Sequence, residues 1–209
     1  MEIYHTIYKG GDGEIVEKKS RFIAEVHPVT SEEEAMEILE QTRKQYWDAR
    51  HHCWAYIIGR NPAAERMSDD GEPAGTAGKP ILEVIRGREL TNVLVIVTRY
   101  FGGIKLGAGG LIRAYSGSVA HAIEEIGRVE VKELTGLTVE LTYSQYQVFS
   151  NFLEKEGLQE FDTTFLSDVS TTLFVEESEI ERLGQELTEF YQGKVTYEKS
   201  GKKIVEIPI

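Results

Sequence analysis

The stretch VLVIVTRYFGGIKLGAGGLIR, residues 93–113, determines the architecture that we predict for this chain. It opens with five consecutive apolar residues, four of them β-branched, a run typical of a strand buried on both faces. Five glycines follow between residues 102 and 110, and an apolar-periodic segment begins at Leu111. Glycines between a strand and a helix leave backbone N–H groups open at the helix N-terminus, where anions bind favourably.

The glycine-rich turn (residues 102–110) is therefore our candidate functional site, with phosphate or nucleic acid as its ligand. Arg99, Lys105 and Arg113 bracket it. Tyr100 and Phe101 could stack on bases, although two aromatics just after a buried strand are more often part of the core. The predicted contact residues are Arg99, Tyr100, Phe101, Gly102, Gly103, Lys105, Gly107, Gly109, Gly110, Arg113 and Lys79.

The charge distribution is uneven. The 209 residues carry a net charge of −12, which argues against a general nucleic-acid binder. Residues 79–113, however, hold six basic side chains against two acidic ones, as an anion site requires, although surface charges can also cluster by chance. Residues 131–209 carry 7 basic and 15 acidic side chains, so we expect this part to face a protein partner or solvent.

Other features limit the location and the chemistry. The one cysteine, Cys53, excludes an intramolecular disulfide framework. The sequence contains no apolar run of membrane-spanning length, and its start resembles no signal peptide, so we expect a cytoplasmic protein without membrane contact. No cofactor is predicted.

Hydrophobic periodicity and turn residues divide the chain into two predicted α+β domains, residues 1–127 and 128–209. In the second, the order β-α-β-β-α-β matches the ferredoxin-like motif. The predicted strands are 3–8, 14–27 (joined by a glycine turn at 10–13), 53–58, 93–98, 137–143, 159–166, 169–175 and 194–207. The predicted helices are 31–46 and 178–192, each with a capping box, and 80–87, 111–126 and 144–156, with a loop at 59–80.

Three strings in this sequence resemble the IMPACT family: SRFIA (Ser20–Ala24), SDDGEPAGTAGKPIL (Ser68–Leu82) and TRYFGGIKLGAGGLIRAY (Thr98–Tyr115). The resemblance covers most of residues 15–127. It implies an N-terminal fold like the second domain of ribosomal protein S five and a ferredoxin-like C-terminal domain. Elongation factor G is similar in carrying this pair of folds as its last two domains. Eukaryotic relatives regulate translation.

Several catalytic motifs are excluded. From Gly107, the third glycine of a dinucleotide fingerprint would fall at Ile112, and in GTAGKP a P-loop's first glycine would fall at Pro73. LGAGGL resembles the phosphate loop of the GHMP kinases but has no serine at 108–110. The run His51-His52-Cys53 lacks the spacing of a zinc site.

The segment after residue 67 contains three carboxylates within four residues. Mg²⁺ favours such clusters, but Asp side chains that cap local N–H groups are the simpler account, and we predict no metal site. The loop residues that we single out are Ser68, Asp69, Asp70, Gly71, Glu72 and Thr76.

Two hypotheses follow. The first is a non-enzymatic, translation-linked regulatory protein that binds RNA or a ribosomal surface through the glycine-rich turn, with no catalytic residue. The alternative is an enzyme for a small phosphorylated or nucleotide ligand, with residues 68–80 as a lid and Asp69 or Asp70 as base or metal ligand.

Overall fold

A computed structural model describes residues 3–60 and 63–209 and divides the chain into two compact units. The first contains Tyr4–Val131 with Glu206–Ile209, and the second contains Lys132–Val205. The predicted two-domain α+β class is confirmed. The boundary after residue 127 stays a prediction, because a single strand, Val129–Leu141, runs through this region.

The elements of the first unit are β1 (Tyr4–Thr6), β2 (Gly11–Glu17), β3 (Ser20–Pro28), α1 (Glu32–Gln45), β4 (His51–Ile58), β5 (Ala64–Ser68), α2 (Gly78–Gly87), β6 (Val93–Tyr100) and α3 (Gly107–Ile126). The unit is built on a five-stranded antiparallel sheet with the order β2-β3-β6-β4-β5. Ser31 caps α1, as predicted, by accepting the Glu34 N–H at 3.1 Å, but the Glu34 carboxylate accepts the Thr30 N–H at 2.7 Å instead of the Ser31 N–H, so the predicted capping box is only half formed.

Strand β6 is the centre of this unit, and its predicted burial on both faces is confirmed. Val93, Val95 and Val97 belong to the core that the sheet forms with α2 and α3. Leu94 and Ile96 belong to the core on the α1 side. Alternate residues of a strand point to opposite faces, so helices on both faces require a continuous apolar run.

The predicted glycine turn at residues 10–13 is wrong. Strand β2 starts at Gly11, and the hairpin turns at Lys18 and Lys19, both with positive φ, so that the predicted strand 14–27 is really two. A Cβ on Gly13 would lie 3.0 Å from the Cα of Ala122 in α3. This glycine therefore permits close packing of the helix on the sheet.

The predicted loop at 59–80 is wrong in part. It contains β5, which pairs with β4, and the start of α2, while its residues 61 and 62 lie outside the described part of the chain. The strand was missed because Ala64–Ser68 lies at a sheet edge and lacks an apolar alternation.

The second unit confirms the ferredoxin-like motif. Strand β7 (Val129–Leu141) pairs with β9 (Val169–Val175) and with β10 (Thr196–Pro208), and β9 also pairs with β8 (Glu160–Phe165), while β1 pairs with the start of β7. The predicted helix 144–156 is interrupted at residues 147–148. The predicted cap at Ser178 is wrong, because the last helix begins at Ile180 without a side-chain cap. The elements are β7 (Val129–Leu141), α4 (Tyr143–Tyr146), α5 (Phe149–Glu156), β8 (Glu160–Phe165), β9 (Val169–Val175), α6 (Ile180–Phe190) and β10 (Thr196–Pro208).

Among residues 3–60 and 63–209, no helix combines the length and the apolar character needed to cross a membrane.

Candidate functional site

A pocket of about 380 Å³, which we call the α3 pocket, lies where β6 ends and α3 begins. Its charged lining consists of Arg50, Glu72, Arg99 and Lys105. Apolar surface comes from Phe101, Leu106 and Leu111, and the other lining residues are His51, Pro73, Gly107 and Ala108. The volume is in the range of small-molecule sites.

The N-terminus of α3 opens into this pocket without a cap. The preceding Leu106 offers no side-chain hydrogen bond to the first turn, which contains no acidic residue. Gly107, Ala108 and Gly109 are exposed. The first N–H groups of a helix have no intrahelical acceptor and carry a partial positive charge, so this end favours an anion.

Arg99 contributes a buried guanidinium to the pocket. The residue is 6% exposed; its Nη1 donates to Glu72 Oε1 at 2.6 Å, and its Nη2 reaches Ser20 Oγ at 3.4 Å. The Nε–H has no acceptor among the described residues. A guanidinium has five N–H donors, and buried donors are nearly always paired, so this group has donors to spare.

The Glu72 carboxylate is held by Tyr115 as well as by Arg99. The hydroxyl of Tyr115 donates to Glu72 Oε1 at 2.7 Å and lies 3.3 Å from the Sγ of Cys53. Burial raises the pKa of the Tyr115 hydroxyl and raises that of the Cys53 thiol to about 12, so both stay protonated at neutral pH. Glu72 therefore serves as an acceptor held between Arg99 and Tyr115.

Lys105 and Arg50 are the accessible cations of the pocket. Both are exposed, and neither forms an ion pair within the described ranges 3–60 and 63–209. Sequence reasoning missed Arg50 because it lies far from the glycine-rich turn in the chain. Strand register brings it close, since His51 pairs with Arg99 across β4 and β6.

Much of the basic segment 79–113 is compensated by carboxylates from other segments. Arg86 pairs with Glu65 and Glu83, and Arg88 pairs with Glu124. Two other predicted contacts, Lys79 and Arg113, are exposed but do not line the α3 pocket. The Nη1 atom of Arg113 lies instead beside Gly109, on the surface of its own helix.

The two aromatics of the turn differ. The Tyr100 hydroxyl donates to Asp48 at 2.8 Å and its ring lies under Arg21, so it faces away from the pocket lining. Phe101 is 55% exposed and lines the pocket, with its ring centroid 5.6 Å from the Arg99 Cζ. The alternative prediction, that both aromatic residues belong to the hydrophobic core, is therefore wrong for Phe101.

The glycines of the turn have different functions. The Gly102 N–H donates to Ser20 Oγ at 3.1 Å, and a Cβ there would lie 2.0 Å from the carbonyl carbon of Lys19. Gly103 and Gly107 have positive φ. A Cβ on Gly110 would lie 2.9 Å from the Cβ of Leu106, so this glycine permits close packing. Of the glycines in the turn, Gly107 lines the pocket.

Asp69 organises the acidic loop as a local cap. Its carboxylate accepts the N–H groups of Gly75, Ala77 and Gly78 at 2.8–3.1 Å, at the start of α2. These hydrogen bonds agree with the interpretation that Asp side chains of this loop cap local N–H groups.

Asp70 is also engaged by protein donors, since it accepts from the His52 N–H at 2.7 Å and from Arg43 at 3.2 Å. The other predicted loop residues support this arrangement: Ser68 accepts the Asp70 N–H, Gly71 has positive φ, and the Thr76 hydroxyl donates to Pro73.

Of the predicted loop residues, only Glu72 lines the pocket. Asp69 and Asp70 are not placed to act as a base or as metal ligands there. Across the ranges 3–60 and 63–209, no group of three or more His, Cys, Asp or Glu side chains is arranged to hold a metal ion.

Comparison with known proteins gives two family matches: the Impact N-terminal domain over residues 18–123 and a domain of unknown function (DUF1949) over residues 139–194. IMPACT family member YvyE of Bacillus subtilis is 42% identical over 194 residues, covering 93% of this chain and 89% of that protein. IMPACT family member YigZ of Escherichia coli is 42% identical over 130 residues, 61% of this chain and 64% of that protein. A crystal structure of a hypothetical protein matches 96% of this chain and 98% of its own, with 30% identity and a TM-score of 0.61.

Proposed function

This chain belongs to the IMPACT family, and we propose that it is a non-enzymatic regulatory protein of translation that binds RNA or a ribosomal surface through the α3 pocket. The family resemblance supports the link to translation, because eukaryotic relatives are regulators of that process. The resemblance also implies a pair of folds like the last two domains of elongation factor G, which is consistent with this link.

One observation carries the binding part of the proposal. The uncapped N-terminus of α3, two cations without carboxylate partners in the described chain, and a buried guanidinium with unused donors line a single pocket. Each of these groups favours a negatively charged oxygen. The net charge of −12 restricts such binding to this local site, since the rest of the molecule repels a polyanion.

We assign a different role to the C-terminal part of the chain. Residues 131–209 carry 15 acidic side chains against 7 basic ones, which disfavours contact with RNA. We propose that this part faces a protein partner or solvent while the α3 pocket holds the nucleic acid.

Sedimentation with purified ribosomes over a salt series tests the proposal. The double variant Arg50→Ala, Lys105→Ala removes both exposed cations of the pocket. We expect it to bind more weakly and to lower the slope of log K against log salt by about one per lost phosphate contact.

The matched control is Lys79→Ala, Arg113→Ala, which removes the same charge from exposed positions outside the pocket lining. We expect this control to keep the wild-type salt slope. Binding that is insensitive to salt, or an equal effect of the two double variants, would overturn the proposed site.

A further inference from the structure

We infer that the α3 pocket takes the terminal phosphate monoester of a nucleotide rather than a phosphate inside a strand. The inference rests on the proposed function for its premise that this pocket is the anion site. It adds the chemical class of the ligand.

The lining of the pocket has a buried part and an exposed part. The side chains of Arg99 and Glu72 are 7% and 4% exposed, so the lining contains a buried ion pair. Arg50, Phe101 and Lys105 are exposed and surround the mouth. An internal phosphodiester has two ester links, whereas a monoester has one and can present three terminal oxygens to the guanidinium of this pair.

The charge of the lining also matches a monoester. Arg50, Arg99 and Lys105 contribute three positive charges and Glu72 one negative charge, which leaves a net charge of +2. A phosphate monoester carries about −1.5 to −2 at pH 7 and has three terminal acceptor oxygens. A diester carries one negative charge, so it would leave part of this lining uncompensated.

Donors are available for those oxygens at different depths. The Arg99 guanidinium lines the pocket and has more N–H donors than the two that Glu72 and Ser20 accept, and Gly107 and Ala108 in the first turn of α3 line the same space. Lys105 can reach an oxygen from the mouth. Convergence of backbone N–H groups, an ammonium and a guanidinium is the arrangement that binds terminal phosphates well.

Phe101 supplies a place for the base. It is a large, exposed aromatic that lines the pocket, and a base can stack on such a ring. A nucleotide should therefore bind more tightly than inorganic phosphate, and the difference should depend on Phe101.

Calorimetric titration of the full chain tests the inference with four probes: adenosine 5′-monophosphate, adenosine 3′,5′-cyclic monophosphate, adenosine and inorganic phosphate. The cyclic compound has the same base but is a diester. We expect the 5′-monophosphate to bind at least tenfold more tightly than the cyclic compound and adenosine. Lys105→Ala should weaken it about tenfold, and Arg113→Ala, outside the pocket lining, should not.

Phe101→Ala provides a second readout, because it should weaken binding of the 5′-monophosphate and leave inorganic phosphate unchanged. Equal affinity for the monoester and the cyclic diester would overturn the inference. So would an absence of 5′-monophosphate binding, or binding that Lys105→Ala does not affect.

Sedimentation with ribosomes, carried out on the same preparations, separates this inference from the proposed function. Salt-sensitive ribosome binding without a preference for the monoester overturns the inference alone. Tight binding of the monoester without ribosome binding overturns the proposed partner and leaves the ligand assignment standing.

Discussion

Arg99 and Glu72 form a buried ion pair across 27 residues of sequence, with the guanidinium Nη1 2.6 Å from the carboxylate Oε1. The pair joins the end of β6 to the loop that precedes α2. Removing one member of a buried pair leaves the other charge uncompensated, which costs about 3–5 kcal/mol. The pair therefore couples the stability of the first unit to the charge in the α3 pocket.

Glu72→Gln keeps the shape of the side chain but removes its charge. We expect the free energy of unfolding to fall by about 3 kcal/mol, because the Arg99 guanidinium then lacks its counter-ion. Urea denaturation measures the loss, and Glu83→Gln is the control, since its pair with Arg86 is exposed to solvent and should contribute little. Inorganic phosphate should restore more stability to Glu72→Gln than to the wild type, and equal stabilisation of both would contradict this expectation.

Two glycine substitutions should have effects of opposite sign. Gly102→Ala would place a Cβ 2.0 Å from the backbone of Lys19, so we expect a loss of about 3 kcal/mol or more as the β2–β3 hairpin is displaced. Gly117→Ala, in the interior of α3, meets only Ile15 at 3.8 Å and should stabilise by about 0.5–1 kcal/mol. Thermal unfolding of both variants checks the prediction, which fails if Gly102→Ala is tolerated like Gly117→Ala.

Asp69→Asn tests the capping role of the loop. One carboxylate oxygen accepts the Ala77 and Gly78 N–H groups and the other accepts the Gly75 N–H, so an amide must lose at least one of these bonds. We expect a loss of about 1–2 kcal/mol. Asp162→Asn, at an exposed residue with positive φ, should change stability by less than about 0.5 kcal/mol.

A metal-ligand role for Asp69 predicts a different result. If its carboxylate bound a cation, a chelator would lower the melting temperature of the wild type toward that of the Asn variant. We expect no such shift, because backbone N–H groups already occupy both carboxylate oxygens.

The elements that sequence predicted well are those whose signal is local. The apolar run of β6 and the apolar spacing of three to four residues in α3 each predict which residues are buried, and Ser31 caps α1 by accepting the N–H of Glu34, three residues further on. Glycine is ambiguous in sequence, since Gly13 and Gly102 permit close packing at positions where a turn is the usual interpretation.

The candidate site was predicted less completely because it depends on non-local pairing. Arg50 reaches the pocket only through the β4–β6 register, and Glu72 reaches Arg99 only because the Asp69 cap fixes the loop. Counting charges in residues 79–113 also overstated the positive potential, since Arg86 and Arg88 find carboxylates in other segments.

The buried thiol of Cys53 gives a prediction with a defined pH window. Burial raises its pKa from 9.0 to about 12 in the folded protein. Below pH 9 the thiol is protonated in both states, so its contribution to stability is fully present. Between pH 9 and 12 the unfolded chain ionises and the folded protein does not, so stability is lost by about 1.4 kcal/mol per pH unit.

Cys53→Ala removes this titration while leaving the buried tyrosines in place. The stability advantage of the wild type over Cys53→Ala, measured by urea denaturation, should therefore shrink by about 1.4 kcal/mol between pH 8 and pH 10. A parallel check is alkylation of the native protein by iodoacetamide, which should remain slow across that range because the thiolate is the reactive form. A constant difference between the two proteins would mean that Cys53 titrates alike in the folded and unfolded states, contrary to its burial against Asp69 and Tyr115.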